Sequence, residues 1–254
     1  MPPAESDFQQ LLNVSVSLGV QLLQCEAEIY RVEESLNRLL SAYGCATFSV
    51  FAIPSFLIVT VKDEAGCPLT QSARILQRDI NLSQIDRLNH LCRRICRNTP
   101  PLSSVSCELK ALERLRRYPP ALCVITTGLI GLAFTLFFGG GLTDGICGAL
   151  CGLVIGLSTR VFSAFPVNLY FSISMASALS ALTALLSVRF GLGQHADIIT
   201  IGALMNLVPG VAITNSMRDA IGGDLIAGLL RLAQALITAL AIALGVGLAI
   251  AVLP

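Results

Sequence analysis

The chain has 254 residues, of which 54% are hydrophobic and 13% charged, with a mean hydropathy of +0.74 and a formal net charge of +1. So much apolar content with so few charges excludes an ordinary soluble domain and marks a membrane protein. A balance this close to neutral offers no basic face for nucleic acid, and no nucleic-acid partner is expected.

The charges are unevenly placed. Residues 119–254 carry only Asp144, Arg160, Arg189, Asp197, Arg218, Asp219, Asp224 and Arg231. Two solvents are implied, and the predicted fold class is an α-helical membrane protein: a cytoplasmic α+β domain over 1–118, then a transmembrane domain over 119–254.

The first residues, MPPAESDFQQ, lack a positive segment followed by an apolar run, so no cleavable signal peptide is expected and the amino-terminal half should stay where it is made. Ser6 and Gln9 have capping-box spacing, and apolar residues then recur with helical period from Phe8 to Leu40. This predicts one long amphipathic helix over about 7–42, interrupted if anywhere near Gly19. In CEAEIYRVEESLNRLL, Arg31 can meet Glu28 or Glu34 across one turn, and Glu34 can meet Arg38. A solvated helix face is the plain reading, and a gating or domain-docking role for Arg31, Glu33 and Glu34 is the sharper one.

After Gly44, CATFSVFAI and SFLIVTV are short, β-branched and aromatic, with Pro54 between them, which predicts two paired strands. Periodicity leaves residues 70–78 open between strand and helix. Ser83 and Asp86 open a further helix through Ile95, ended by Pro100 and Pro101, and another helix is predicted over about 103–117.

Nine cysteines in a chain without a leader read as reduced thiols rather than a disulfide framework. Cys92 and Cys96, and Cys147 and Cys151, share helix faces, but no ligand set completes around either pair, so no metal or other cofactor is expected.

Five apolar segments follow, at about 121–139, 145–163, 168–188, 196–214 and 225–252, each near the length that crosses a hydrocarbon core. Lys110, Arg114, Arg116 and Arg117 precede the first, which by the positive-inside rule keeps the amino-terminal domain in the cytoplasm and sends the carboxyl terminus outward. Arg160 and Arg218 agree with that topology; Arg189 opposes it. FFGGG at 137–141 reads as a tight outer turn with Asp144 as the N-cap of the next span, and Asp144 is the fourth gating candidate. Gly148, Gly152 and Gly156 lie on one helix face, where they allow another helix to approach closely.

The fourth segment contains NLVPGVAITN. Pro209 removes a backbone donor and Gly210 admits unusual dihedrals, so the segment should be kinked or broken there. Transporters use such breaks to face polar cargo, although a kink satisfied by neighbouring helices is an equal reading. Beyond it, Asn215 and Asp219 are one turn apart, and Asp224, Arg231 and Thr238 recur every seven residues beside Gln234. Ionisable groups in such a setting are functional candidates. The expected transport path is therefore Asn206, Pro209, Gly210, Asn215, Asp219, Asp224, Arg231 and Gln234.

GALMNLVPGVAITNSMRDAIGGDLIAGLLRLAQALITALAIALGVG resembles the membrane signature of the threonine/serine exporter family, FFGGGLTDG its first membrane turn, and LLQCEAEIYRVEESLNRLLSAYG its amino-terminal helix. The resemblance covers nearly the whole chain. It implies a multi-pass exporter of the bacterial inner membrane, and a chain ending after five spans matches the larger subunit of the family's split, two-gene branch. That branch implies succinate as cargo and a second small integral-membrane subunit as partner; the fused members imply threonine and serine. The implied partners are thus that subunit, a small carboxylate or amino acid substrate, membrane lipid and further copies in an oligomer. Coupling to protons is an expectation of the same kind.

Two other classes compete. GGD at 222–224 is half of an intramembrane aspartyl protease motif, but Ile221 replaces its leading glycine, and His90 and His195 have no nucleophile constellation, so no enzyme is expected. A membrane-anchored sensor or assembly subunit is the other alternative.

Overall fold

The computed structural model describes residues 5–62, 66–76, 79–113 and 118–253, with side chains from Phe8 onward. Two compact units emerge. One comprises residues 1–116 together with 214–231, the other residues 117–213 together with 232–254.

In the first unit, α1 (Glu5–Gln24) and α2 (Ile29–Ala42) replace the single helix expected over 7–42. The break is not at Gly19, which lies inside α1 where a Cβ would come 2.6 Å from Leu57 Cδ2. It falls at Glu26, whose φ of 64° is left-handed. A non-glycine residue pays for that conformation, so the surroundings must hold it. Ser6 is already helical and so lies within α1.

Strands β1 (Phe48–Ile53), β2 (Phe56–Lys62) and β3 (Pro68–Arg74) form an antiparallel meander with Val50 opposite Val59 and Val59 opposite Gln71. The undecided 70–78 stretch is thus a strand as far as Arg74, and residues 77–78 lie outside the described residues. Leu57, Val59 and Val61 alternate inward from β2 and join Leu18, Leu22, Leu36 and Leu40 of α1 and α2 in one core. Burying side chains of this size contributes roughly 1.5–3 kcal/mol each before entropy.

Helix α3 (Leu82–Asn98) is capped by Asn81, whose side chain accepts from the Gln84 N–H at 3.1 Å, rather than by Ser83. Helix α4 (Leu102–Glu113) corresponds to the element expected at 103–117. Arg114, Arg116 and Arg117 of the basic flank lie outside the described residues.

The second unit opens with α5 (Pro120–Phe137), α6 (Leu142–Ser163) and α7 (Leu169–Arg189). The FFGGG turn joins α5 to α6 through Gly139, at a φ of 92°. Gly141, not Asp144, is the N-cap of α6; Asp144 stands in its first turn and accepts from the Gly141 N–H at 3.3 Å. Gly148, Gly152 and Gly156 do serve close approach: Cβ atoms there would strike Thr135, Thr127 and Val124 of α5.

The fourth apolar segment is not one spanning helix. It forms α8 (Ala196–Leu204) and then, after an irregular stretch at 205–209, α9 (Gly210–Ile221), with α10 (Leu225–Val252) following. Among the described residues four helices, α5, α6, α7 and α10, are long and apolar enough to cross a membrane. Nine residues of α8 reach only about 14 Å at 1.5 Å each. The break expected at Pro209 and Gly210 is therefore complete rather than a kink.

Candidate functional site

The polar residues of α9 and the start of α10 converge on one short turn. Asn215, Arg218 and Asp219 occupy one face of α9 through their i, i+3, i+4 spacing, and Arg231 comes from the second turn of α10. All belong to the first unit. Residues 26–29, the turn between α1 and α2, meet them group by group. Arg231 Nη2 donates to the Ala27 carbonyl at 2.6 Å, and the Ile29 N–H donates to Asp219 Oδ1 at 3.3 Å. Asn215 Nδ2 donates to the Glu26 carbonyl at 3.5 Å, while Arg218 pairs with the Glu28 carboxylate, which Arg31 also meets.

Asp219 thereby performs a capping role. Glu28 is the N-cap residue of α2 but makes no side-chain capping bond, and the first N–H groups of a helix have no partner within it. A carboxylate carried by α9 supplies the acceptor, at the end of α2 whose partial charge is positive.

The cluster is buried and incompletely satisfied. Asp219 and Arg231 are 0% and 2% exposed, with Arg231 Nε 3.1 Å from Asp219 Oδ2. That distance makes an ion pair, but the two atoms are misaligned for a hydrogen bond, so Asp219 Oδ2, Arg231 Nε and Arg231 Nη1 have no hydrogen-bond partner. A buried donor or acceptor left so costs about 1–3 kcal/mol, more when charged, which makes these atoms the place where another polar group would be welcomed.

Other predicted residues stand apart from this cluster. Asp224 bridges α9 and α10, donating its N–H to the Asp219 carbonyl at 2.9 Å. It is near enough to Glu33 to repel its charge. Glu33 accepts from the Ala52 N–H at 2.9 Å, and burial first, then Asp224, hold its carboxyl above the usual range. Glu34 pairs with Arg38 at 2.6 Å on an exposed helix face. Asn206, Pro209 and Gly210 form the α8–α9 break, where Leu207 and Val208 turn their N–H groups back to the Leu204 carbonyl. Gln234 is half-buried on α10, and the Thr238 hydroxyl is spent on its carbonyl at 2.9 Å.

Asp144 belongs to a second cluster, inside the other unit. Its fully buried carboxylate accepts from the N–H of Gln194 at 2.6 Å and of His195 at 3.3 Å, and lies 3.0 Å from His195 Nδ1. His195, unaccompanied in the sequence, thus has an acidic partner 51 residues away, and Asp144 ties the start of α6 to the start of α8. The one-turn pair expected between Glu28 and Arg31 is present, whereas the partnership of Glu28 with Arg218, 190 positions away, had no local signal.

A family model described as "Putative threonine/serine exporter" matches residues 13–253. The chain is 26% identical to the "Probable succinate transporter subunit YjjP" of Klebsiella aerogenes, over 98% of this chain and 96% of that protein. It is 28% identical to "Pheromone-regulated membrane protein 10" of Candida albicans over 96% of this chain but 22% of that much longer protein. No solved structure matches.

Proposed function

The chain belongs to the threonine/serine exporter family, and from that premise we propose that it is the larger subunit of a secondary exporter of small carboxylate metabolites, with succinate first among its cargoes. A second, small integral-membrane subunit completes the transporter in this reading. The observation that carries it is Arg231: a guanidinium 2% exposed, with two nitrogens lacking hydrogen-bond partners, in a helix that carries no other charge. Arginine presents a planar fork matched to a carboxylate, and Arg218, which pairs with the Glu28 carboxylate, supplies a second cation in the same cluster. The name of the Klebsiella relative supports both the succinate and the subunit parts.

A threonine or serine cargo is the second reading, favoured by one contact. Asp219 accepts a backbone N–H from Ile29, and an ammonium beside a carboxylate offers the same donor-and-acceptor pattern. Succinate has no donor to give Asp219.

The route also draws on the α8–α9 break, where backbone groups released from helical pairing suit polar cargo. The chain crosses the inner membrane five times in this proposal, with residues 196–214 as an interrupted fourth crossing and the amino-terminal unit in the cytoplasm. The test is efflux of labelled succinate and labelled threonine from preloaded vesicles carrying the chain with and without its partner. Partner-dependent succinate efflux is expected, reduced by Arg231→Ala, Asn215→Ala, Asp224→Asn and Pro209→Ala with the protein still in the membrane. Wild-type flux in all four variants would refute the assignment, and full flux from the partner alone would make this chain a scaffold.

A further inference from the structure

We propose that the α1–α2 turn is a built-in occupant of the carboxylate site, so that residues 26–29 and the cargo compete for the same side chains. The inference rests on the exporter reading above and adds a regulation to that site.

The turn offers the site the chemistry a small carboxylate would bring. Glu28 places a carboxylate on Arg218, and the Ala27 carbonyl takes one nitrogen of Arg231. The Ile29 N–H lies on Asp219, and the Glu26 carbonyl accepts from Asn215. Each of the four receiving side chains is thus engaged by the turn, and Asn215, Asp219 and Arg231 are buried where they meet it, at 9%, 0% and 2% exposure.

The fit is imperfect in a telling way. The turn uses one of Arg231's nitrogens and leaves Nε and Nη1 without a hydrogen bond, and Asp219 Oδ2, ion-paired with Nε at 3.1 Å, has none either. A permanent structural joint gains from satisfying every buried charge. A free carboxylate placed on Arg231 gains two parallel charge-assisted bonds where the Ala27 carbonyl gives one.

The turn is also built to be displaced without unfolding its helices. Its backbone departs from helical geometry at Glu26, with a φ of 64°, and so carries the local strain there. The helices on either side are anchored in the domain core outside the turn, through Leu22 and Leu23 of α1 and Val32 and Leu36 of α2.

Occupancy by the turn lowers apparent affinity by the fraction of time the site is open. Glu28→Gln keeps the size of the side chain and removes the competing charge, so it should tighten binding of labelled succinate or threonine to the purified full-length protein by about tenfold if the turn fills the site nine-tenths of the time. The wild-type protein supplies a second readout. The Ile29 amide has no acceptor in its own helix, so hydrogen exchange at Ile29 should speed up when succinate or threonine is added, and whichever of the two does this identifies the cargo. Ligand binding with Ile29 exchange unchanged or slowed, and with no gain in Glu28→Gln, would overturn the competition and leave the exporter reading standing. No binding of either ligand to wild type or variant would overturn both.

Discussion

Removing the Asp219 carboxylate would strand the Arg231 guanidinium, which is 2% exposed and has no other acidic partner among the described residues. Breaking a buried pair from one side typically costs about 3–5 kcal/mol, because the remaining charge is uncompensated, whereas removing both charges is often tolerated. Asp219→Ala should therefore lower the unfolding midpoint of the purified protein markedly, and adding Arg231→Met should recover most of the loss. Recovery will stop short of wild type, since the Ile29 N–H still lacks its acceptor. Additive losses in the double variant would show that the two side chains act independently. At this scale the sequence was informative about identity but not about partnership. Asn215, Asp219 and Arg231 stood out as polar groups among apolar neighbours, yet their partners Glu26, Ile29 and Ala27 lie 189, 190 and 204 positions away, and no local spacing rule reaches so far. His195 was passed over for the same reason, its acidic partner lying on another helix.

The elements were most legible where local chemistry alone decides them. Helix α10 spans Leu225–Val252, the bounds expected for the fifth apolar segment, and the α8–α9 break sits where Pro209 removes a donor. The α1–α2 break was not legible, because Glu26 adopts a left-handed conformation that its own chemistry disfavours and that the docked turn imposes. The same logic of tertiary demand separates one glycine from another. Gly152 of α6 faces α5 so closely that a Cβ would collide with the Thr127 carbonyl and come 3.0 Å from Gly128 Cα, while a Cβ on Gly247 of α10 meets nothing within 4 Å. Backbone cannot step aside as a flexible side chain can, and overpacking costs about 1–3 kcal/mol or more. Gly152→Leu should lower thermal stability in detergent, and Gly247→Leu should leave it unchanged or raise it, glycine being a poor helix former. Equal behaviour of the two variants would refute the close α5–α6 contact.

For the whole molecule, the division into two units resolves a mismatch of length. Helix α10 has 28 residues, about 42 Å at 1.5 Å each, too long for a hydrocarbon core of about 30 Å. Its first turns, through Arg231, fold with the amino-terminal unit, and the division falls between Arg231 and Leu232. From Leu232 to Val252 the helix covers about 31 Å, which matches the core, and Leu236, Leu240, Leu244 and Leu248 are exposed along it, as lipid-facing side chains should be. In the proposed topology the part of α10 that belongs to the amino-terminal unit is its cytoplasmic end, so the other end should emerge outside. Cysteine labelling tests this directly. With other cysteines removed, Cys107, exposed on α4, should resist a membrane-impermeant maleimide in intact cells and react once the membrane is opened. A cysteine introduced as Leu253→Cys should react in intact cells. Labelling of both residues from the same side would require an even number of crossings and, because Arg231 belongs to the same unit as Cys107, would mean that α10 itself does not cross, which would overturn the length match.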